Sequence, residues 1–318
     1  MKRSIFLSGA ALALVPSGIC AAAGTDENYD LQTPTGTIYG SLMTPASSSS
    51  GAVVLIIAGS GPTDRNCNQS GIHTDAYLLL AKALAQRGVA SVRYDKRGVA
   101  ASAAAATSES DLRFETYISD AQAWIRRLRP DGRFKRVIIA GHSEGSLIGM
   151  IAARNERADA FASLEGAAFP AAEIIRTQFE EQLSPYPDLK AANDRILKTL
   201  SAGQTTSDVP PQLLALYRPS VQPYLISWFR YDPRVEIAKL SCPVTIVQGT
   251  ADLQVSLANG RALHDALPRS RLVVVPEMSH VLKDTSSDSL SVQQSTVYAD
   301  PRLPIDTAVV RAISDLSD

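Results

Sequence analysis

The sequence predicts an α/β protein built on a mostly parallel, doubly wound sheet, and three observations carry that prediction. Apolar runs at residues 52–58, 89–94, 137–140, 161–165, 244–249 and 271–275 have strand length and no polar alternation, as strands covered on both faces do. Stretches with helical spacing of apolar residues, at 77–87, 112–128 and 256–267, lie between several of them. Strand alternating with helix is the rhythm of a parallel sheet wound on both sides. The 318 residues, 45% hydrophobic, suffice for one large domain with an insertion or for two smaller ones. A formal net charge of -1 and the lack of a basic stripe exclude a nucleic-acid footprint.

In chain order, Lys2 and Arg3 precede an apolar stretch at 5–15, followed by Pro16-Ser17-Gly18 and Ala21-Ala22-Ala23. That is the layout of a secretory signal peptide, expected at residues 1–23 with cleavage near Ala23. The protein is then exported, periplasmic or secreted. The stretch is short for a membrane anchor, and Ile19 stands before Cys20 where lipidation needs a small residue. No later run is long and apolar enough to cross a bilayer, so no stable membrane insertion is expected once the signal is removed. Removal leaves Cys67 and Cys242. Cys242 opens a predicted strand and Cys67 lies in a loop at the opposite end of the strands, so two unpaired thiols are expected. Residues 29–44 read as a hairpin, with arms at 31–33 and 38–42 and a turn at Pro34-Thr35-Gly36.

The rhythm changes after residue 160. A strand at 161–165 leads into a helix from 171 to about 200, then into a stretch punctuated by Pro210-Pro211, Pro219 and Pro223. Residues 169–236 are therefore expected to form a helical insertion, with the core domain at 24–168 and 237–318. Phe179, Leu183, Tyr186, Leu213, Leu214, Leu216, Tyr217, Trp228 and Phe229 supply either a pocket wall or the insertion's own small core. Residues 284–298, rich in Ser and Gln, read as a mobile loop, and 305–316 as a closing helix.

The chemistry centres on Gly141-His142-Ser143-Glu144-Gly145, which follows a strand and opens a helix. A G-x-S-x-G in that context is a nucleophile elbow with Ser143 at its apex. A serine hydroxyl needs a base, and the base needs an orienting acid. His142 lies inside the elbow and should point back into the protein, His264 is mid-helix, and His73 lies in a loop after the first long strand. His280 follows the last strand, on the sheet edge that the elbow shares, and is the expected base. The acid should lie between the two in chain order. Asp252, in Gly249-Thr250-Ala251-Asp252, meets that condition, with a helix N-cap as its ordinary alternative and Asp265 and Glu277 as rivals. Two backbone amides should receive an oxyanion: Glu144, after the nucleophile, and Ser60, in Gly59-Ser60-Gly61-Pro62-Thr63-Asp64-Arg65, with Gly61 as the fallback. That loop lacks the Lys-Ser/Thr pair of a phosphate loop.

These segments together resemble the α/β-hydrolase superfamily over nearly all of the chain beyond residue 23. The oxyanion loop is similar to that of bacterial carboxylesterases related to the serine aminopeptidase and dienelactone hydrolase groups. Residues 94–102, Tyr94-Asp95-Lys96-Arg97-Gly98-Val99-Ala100-Ala101-Ser102, resemble their D-x-R-G-x-G-x-S segment. Ala100 replaces the second glycine, and Ala58 stands where those esterases often carry a histidine, so that histidine's bonds must come from elsewhere or be absent. Asp95 and Arg97 are expected to hold their loop by internal ion pairing. The resemblance implies an ester hydrolase acting on short to medium acyl esters through an acyl-enzyme on Ser143, with a small-molecule ester as its partner and no metal or organic cofactor. Two alternatives stand beside it: an aminopeptidase whose insertion grips a free amine with acidic residues such as Glu165, Glu173, Glu180 and Glu181, and a non-catalytic binding protein on the same scaffold.

Overall fold

The computed structural model describes residues 24–318 apart from 48, 49 and 107, so the signal expected at 1–23 lies outside the described residues. Eight strands form the main sheet: β1 (Thr25–Asn28), β2 (Gly40–Thr44), β3 (Ala52–Ile57), β4 (Ala90–Tyr94), β5 (Arg136–His142), β6 (Ala160–Leu164), β7 (Val244–Gly249) and β8 (Arg271–Val275). Their spatial order is β1-β2-β4-β3-β5-β6-β7-β8. β1 and β2 pair antiparallel, as do β2 and β4, and every other neighbouring pair is parallel.

The unbroken apolar runs arise because each face of the sheet has its own cover. Along β3, Val53, Leu55 and Ile57 join a core with Phe114 and Trp124 of α2 (Phe114–Leu128) and Leu147 of α3 (Glu144–Asn155). The intervening Val54 and Ile56 pack on the other face, against Tyr77, Leu80 and Leu84 of α1 (Ala76–Gln86) and a C-terminal helix at Thr307–Ser314. The period of two thus splits one apolar run between two cores.

Between β6 and β7 the chain is helical: α4 (Ala171–Leu183), α5 (Pro187–Ser201), α6 (Leu214–Tyr217), α7 (Gln222–Trp228) and α8 (Pro233–Ala238). The single helix expected over 171–200 is two, because Pro185 lies in the break and Pro187 opens the second. Leu213 and Tyr217 lie in this segment's own core with Ile175, Leu197, Leu200 and Leu225. Tyr186 and Leu214 are exposed. The remaining helices are α9 (Leu257–Ala266), α10 (Leu290–Ser295) and α11 (Thr307–Ser314).

Two further expectations are corrected. The hairpin pairs Leu31–Thr33 with Gly36–Ile38, while residues 40–44 leave it to become β2 of the main sheet. The Ser/Gln-rich stretch is not an open loop: it contains α10, and Val297 and Tyr298 bury themselves against Val281. Tyr298 also accepts from His73 N at its carbonyl (2.9 Å) and from Gln254 Nε2 at its hydroxyl (2.8 Å). Both thiols are unpaired, Cys67 buried and Cys242 partly so.

The elbow between β5 and α3 leaves no room for a side chain at either glycine. A Cβ on Gly141 would lie 2.2 Å from Gly145 O, and one on Gly145 would lie 2.4 Å from Ile57 O and 2.5 Å from Ala58 O. Every obstacle is backbone, so no rotamer change relieves it. Gly145→Ala is therefore expected to lose about 2–3 kcal/mol or more in urea unfolding. Gly132→Ala, where a Cβ meets nothing within 4 Å, should stay within about 0.5 kcal/mol of the parent. Equal stability of the two variants would contradict the packing.

Candidate active site

Ser143 stands at the end of β5 with φ 53° and ψ -122°, a region L-residues rarely occupy. Its amide is fixed by Leu164 O (2.9 Å), and the strained turn carries the side chain to the carboxyl edge of the sheet, where it lines a cavity. The ends of β3, β4, β6, β7 and β8 reach the same edge, so residues far apart in sequence converge there.

His280 follows β8 in a turn closed by Ser279 N to Lys283 O (2.9 Å) and Leu282 N to Ser279 O (2.9 Å). Lys283 anchors that turn by donating to Thr74 O (2.6 Å) and Asp300 O (2.8 Å). His280 Nδ1 lies 2.7 Å from Asp252 Oδ2. The other Asp252 oxygen accepts from the Gln254 (2.8 Å) and Val255 (2.9 Å) amides. Asp252 is not the cap of the following helix, because Ser256 holds that position in front of α9. Asp265 and Glu277, the rival acids, are exposed. No hydrogen bond joins Ser143 Oγ to His280 Nε2.

Behind Asp252 lies a second buried carboxyl. Glu165, at the end of β6 with φ 49°, accepts from Gly249 N (2.8 Å) and from the side chain of Gln248, which also approaches Asp252 Oδ2 at 3.4 Å. Burial pushes the Glu165 carboxyl far above its ordinary range, and the neighbouring Asp252 charge adds to this. Burial would raise Asp252 too, but the His280 charge and hydrogen bond, with the Glu165 bond, hold it low. The pair therefore shares its burden unequally: Glu165 keeps a proton and Asp252 stays ionised against His280.

The loop after β3 is held on both sides. Gly59 N donates to Tyr77 Oη (3.1 Å), and that hydroxyl meets His142 Nδ1 at 2.8 Å. With Tyr77 donating there, His142 carries its proton on Nε2 and donates to His280 O (2.7 Å). Burial, then the nearby His280, pushes His142 down to about 3, so it is neutral. These bonds answer for the histidine absent at position 58. On the far side, Lys96 Nζ donates to Gly59 O at 2.5 Å. The internal ion pairing expected of Asp95 and Arg97 is not what forms: each pairs with a residue outside the loop, Asp95 with Arg65 (2.7 Å) and Arg97 with Asp120 (2.6 Å).

The cavity over Ser143, about 560 Å³, is walled by α4, α7 and the loop after β3. Ser60, Gly61 and Glu144 line it beside Ser143, and Tyr117, Phe169, Phe179, Leu216, Tyr224 and Trp228 give it an apolar, aromatic wall. Among the described residues, two that line it are carboxylates, and both are engaged. Glu109 binds Arg218 and Ser220. Glu144 binds Tyr224 Oη and stands 3.7 Å from Lys96 Nζ.

Of the residues expected from the sequence, Ser60, Ser143 and Glu144 meet at one cavity, and Asp252 bonds to His280 behind it. Lys96, Tyr77 and Tyr224 were not foreseen as parts of the site, and Glu165 was expected only as one of the acids that would grip a free amine. Lys96 stood inside a recognised segment, and Glu165 ended a predicted strand, but nothing local announces that a charged side chain will be buried.

The sheet order, the elbow and the placement of the site at its carboxyl edge give this chain the α/β-hydrolase fold. Residues 67–221 match the family model described as Serine aminopeptidase, S33. The esterase EstD of Thermotoga maritima is 25% identical over 221 residues, 68% of this chain and 50% of EstD; the chain thus spans half the length of that relative. Among solved structures, Est1E from Butyrivibrio proteoclasticus with ferulic acid bound has a TM-score of 0.57 at 17% identity, covering 85% of this chain and 96% of Est1E. The Pyrococcus furiosus esterase Pf2001 has a TM-score of 0.56 at 14% identity, covering 81% and 84%. These structural likenesses bear on the fold.

Glu165 yields a prediction with a definite sign. Unfolding exposes its carboxyl, which then ionises above its ordinary value of 4.5 while the folded form stays protonated. Its contribution to stability therefore falls as pH rises, by about 1.4 kcal/mol per pH unit where one full proton is released. Glu165→Gln should match the parent in urea unfolding near pH 4 to 5 and exceed it at pH 8. Parallel stability–pH curves would show that Glu165 is ionised in the fold. Glu165→Ala, which strips Gly249 N of its acceptor, should cost about 1–3 kcal/mol at pH 5.

Proposed function

We propose that this protein is a serine hydrolase that cleaves carboxylic esters, with Ser143 as nucleophile, His280 as base and Asp252 as the acid that orients it. The observation that carries the reading is the 2.7 Å His280–Asp252 bond behind the same sheet edge on which the strained elbow presents Ser143. In this reading His280 Nε2 takes the Ser143 proton as Oγ attacks the acyl carbonyl, and Asp252 stabilises the resulting imidazolium. The tetrahedral oxyanion is received by the Ser60 and Glu144 amides. His280 then gives the proton to the leaving alcohol, and water repeats the sequence on the acyl-enzyme. His142, neutral beside His280, adds no charge to compete with the imidazolium. The missing Ser143–His280 bond is the one to form on substrate arrival, since such bonds are commonly long in unliganded sites. EstD, an esterase by name, supports the same reading at low identity.

The cavity favours an ester with an uncharged acyl group over a free amino-terminal substrate. A site for an ammonium needs an uncommitted carboxylate, and Glu109 and Glu144 both hold partners. The aminopeptidase reading rests on the family match and would be favoured by faster cleavage of amino-acid amides than of esters. Export through the segment at 1–23 belongs to this proposal as the protein's setting, and amino-terminal sequencing of the secreted or periplasmic form tests it.

The protein should hydrolyse p-nitrophenyl acetate and butyrate and take up a fluorophosphonate probe at Ser143. Ser143→Ala should abolish both. Asp252→Asn should keep the fold and lower kcat by about 10⁴, because the imidazole then holds the wrong tautomer. A wild type that neither turns over any ester nor labels at Ser143 would leave a binding protein on a hydrolase scaffold.

A further inference from the structure

The geometry points to Lys96 as a positioning residue that sets the oxyanion hole: by gripping Gly59 O it fixes the peptide plane whose other end is the Ser60 N–H, with Glu144 and Tyr224 completing the device. This inference rests on the proposed ester hydrolysis and names a part of that machinery.

The argument begins with one peptide unit. In a trans peptide the carbonyl and the following N–H point in opposite directions. Gly59 O and Ser60 N belong to the same unit, so a donor that holds the carbonyl fixes the direction of the amide as well. Lys96 Nζ holds it at 2.5 Å, from a buried side chain that borders the same cavity. The preceding amide, Gly59 N, is held by Tyr77 (3.1 Å), so the residue before the proposed donor is fixed at both its polar groups. Ser60 N itself has no acceptor among the described residues, and Ser60 lines the cavity with Ser143. A Cβ on Gly59 would lie 3.1 Å from Ser143 Cβ, which measures how closely this peptide passes the nucleophile.

The ammonium also acts electrically. A cation at a carbonyl oxygen draws electron density through the amide and makes its N–H a stronger donor. Lys96 is buried, and burial works against its charge; the Glu144 carboxylate 3.7 Å away restores part of it. Glu144 is the residue whose backbone N–H is the other proposed donor. Its side chain is bound in turn by Tyr224 of α7, from the helical segment over the cavity. One chain of contacts, Tyr224–Glu144–Lys96–Gly59, therefore runs from the cavity wall to both donors. A buried ion pair adds little net stability over an apolar replacement, so its position at the oxyanion loop needs another reason, and orientation supplies one.

The test uses the full protein, with p-nitrophenyl butyrate as substrate, a butyl trifluoromethyl ketone as the transition-state mimic and butyrate as the ground-state ligand. Wild-type turnover and fluorophosphonate labelling come first; their failure sinks the ester-hydrolase reading itself. Given an active wild type, Lys96→Met should lower kcat by about 100-fold, near the loss of one oxyanion donor. KM and butyrate affinity should stay within about threefold, while ketone affinity falls in step with kcat. Glu144→Gln and Tyr224→Phe, which keep shape and remove one link each, should lower kcat by about 3–10-fold with the same split, and they carry the test if Lys96→Met does not fold. The double variant Lys96→Met/Glu144→Gln should be no slower than Lys96→Met alone. A folded Lys96→Met with wild-type kcat, a loss confined to KM, or ketone affinity unchanged while kcat falls would each overturn the assignment.

Discussion

The close approach of the elbow to the sheet is the constraint on which the rest of the site depends. Gly145 lies so near the Ile57 and Ala58 carbonyls that a methyl group would overlap both, and Gly141 lies equally close to Gly145. That contact locks β5, α3 and the end of β3 into one unit. Ser143 is forced into a positive φ between them, and the chain leaving β3 must pass directly beside it. The proposed nucleophile and the proposed oxyanion loop are thus placed by a single packing event rather than by two independent loops. The strain at Ser143 is balanced by the surrounding backbone, including the Leu164 carbonyl that receives its amide.

Around this unit the polar groups are arranged in two lines. One runs His280–Asp252–Glu165, in which a neutral carboxyl supports an ionised one. The other runs Tyr77–His142–His280 O, in which a neutral imidazole fixes the backbone of its neighbour. Both lines meet at His280, one through its ring and one through its carbonyl. The imidazole is therefore oriented by its ring partner and its loop position at once. Charge is kept off His142 and off Glu165 by burial, so Asp252 is the carboxylate that faces the His280 ring.

The parts legible in the sequence were those with local signatures. Unbroken apolar runs separated by amphipathic stretches gave the parallel strands, because burial on both faces leaves no room for polar alternation. The five residues 141–145 announced a turn that only glycine can close. His280 and Asp252 followed from their places after strands and from chain order alone. Pro185 and Pro187 did signal the break between α4 and α5, and the long helical reading overrode them. By contrast, Lys96, Glu165 and Tyr224 act through partners 37 to 84 positions away, and charged or phenolic side chains ordinarily face water. Their burial is a product of the tertiary fold. The packing of Tyr298 was hidden for a related reason: a stretch dominated by Ser and Gln conceals two apolar residues that find a third, Val281, across a turn.

The helical segment between β6 and β7 has two duties that the structure does not separate. Leu197, Leu213 and Tyr217 build a core of their own, while Ile175, Phe179, Leu216 and Trp228 touch both that core and the cavity. Tyr224 belongs to both groups, since its ring lines the cavity and its hydroxyl binds Glu144 beside the nucleophile. In the proposed ester hydrolase, substrate shape would be read by the same helix that reaches the proposed oxyanion scaffold. A bulky group that displaced α7 would pull on Glu144, and through Lys96 on the Gly59 carbonyl. With that wiring, acyl selectivity would not be confined to binding. A poorly fitting acyl group would lose contacts with the wall and, in the same movement, disturb the donors that its transition state requires, so discrimination would be expressed in turnover as well as in affinity.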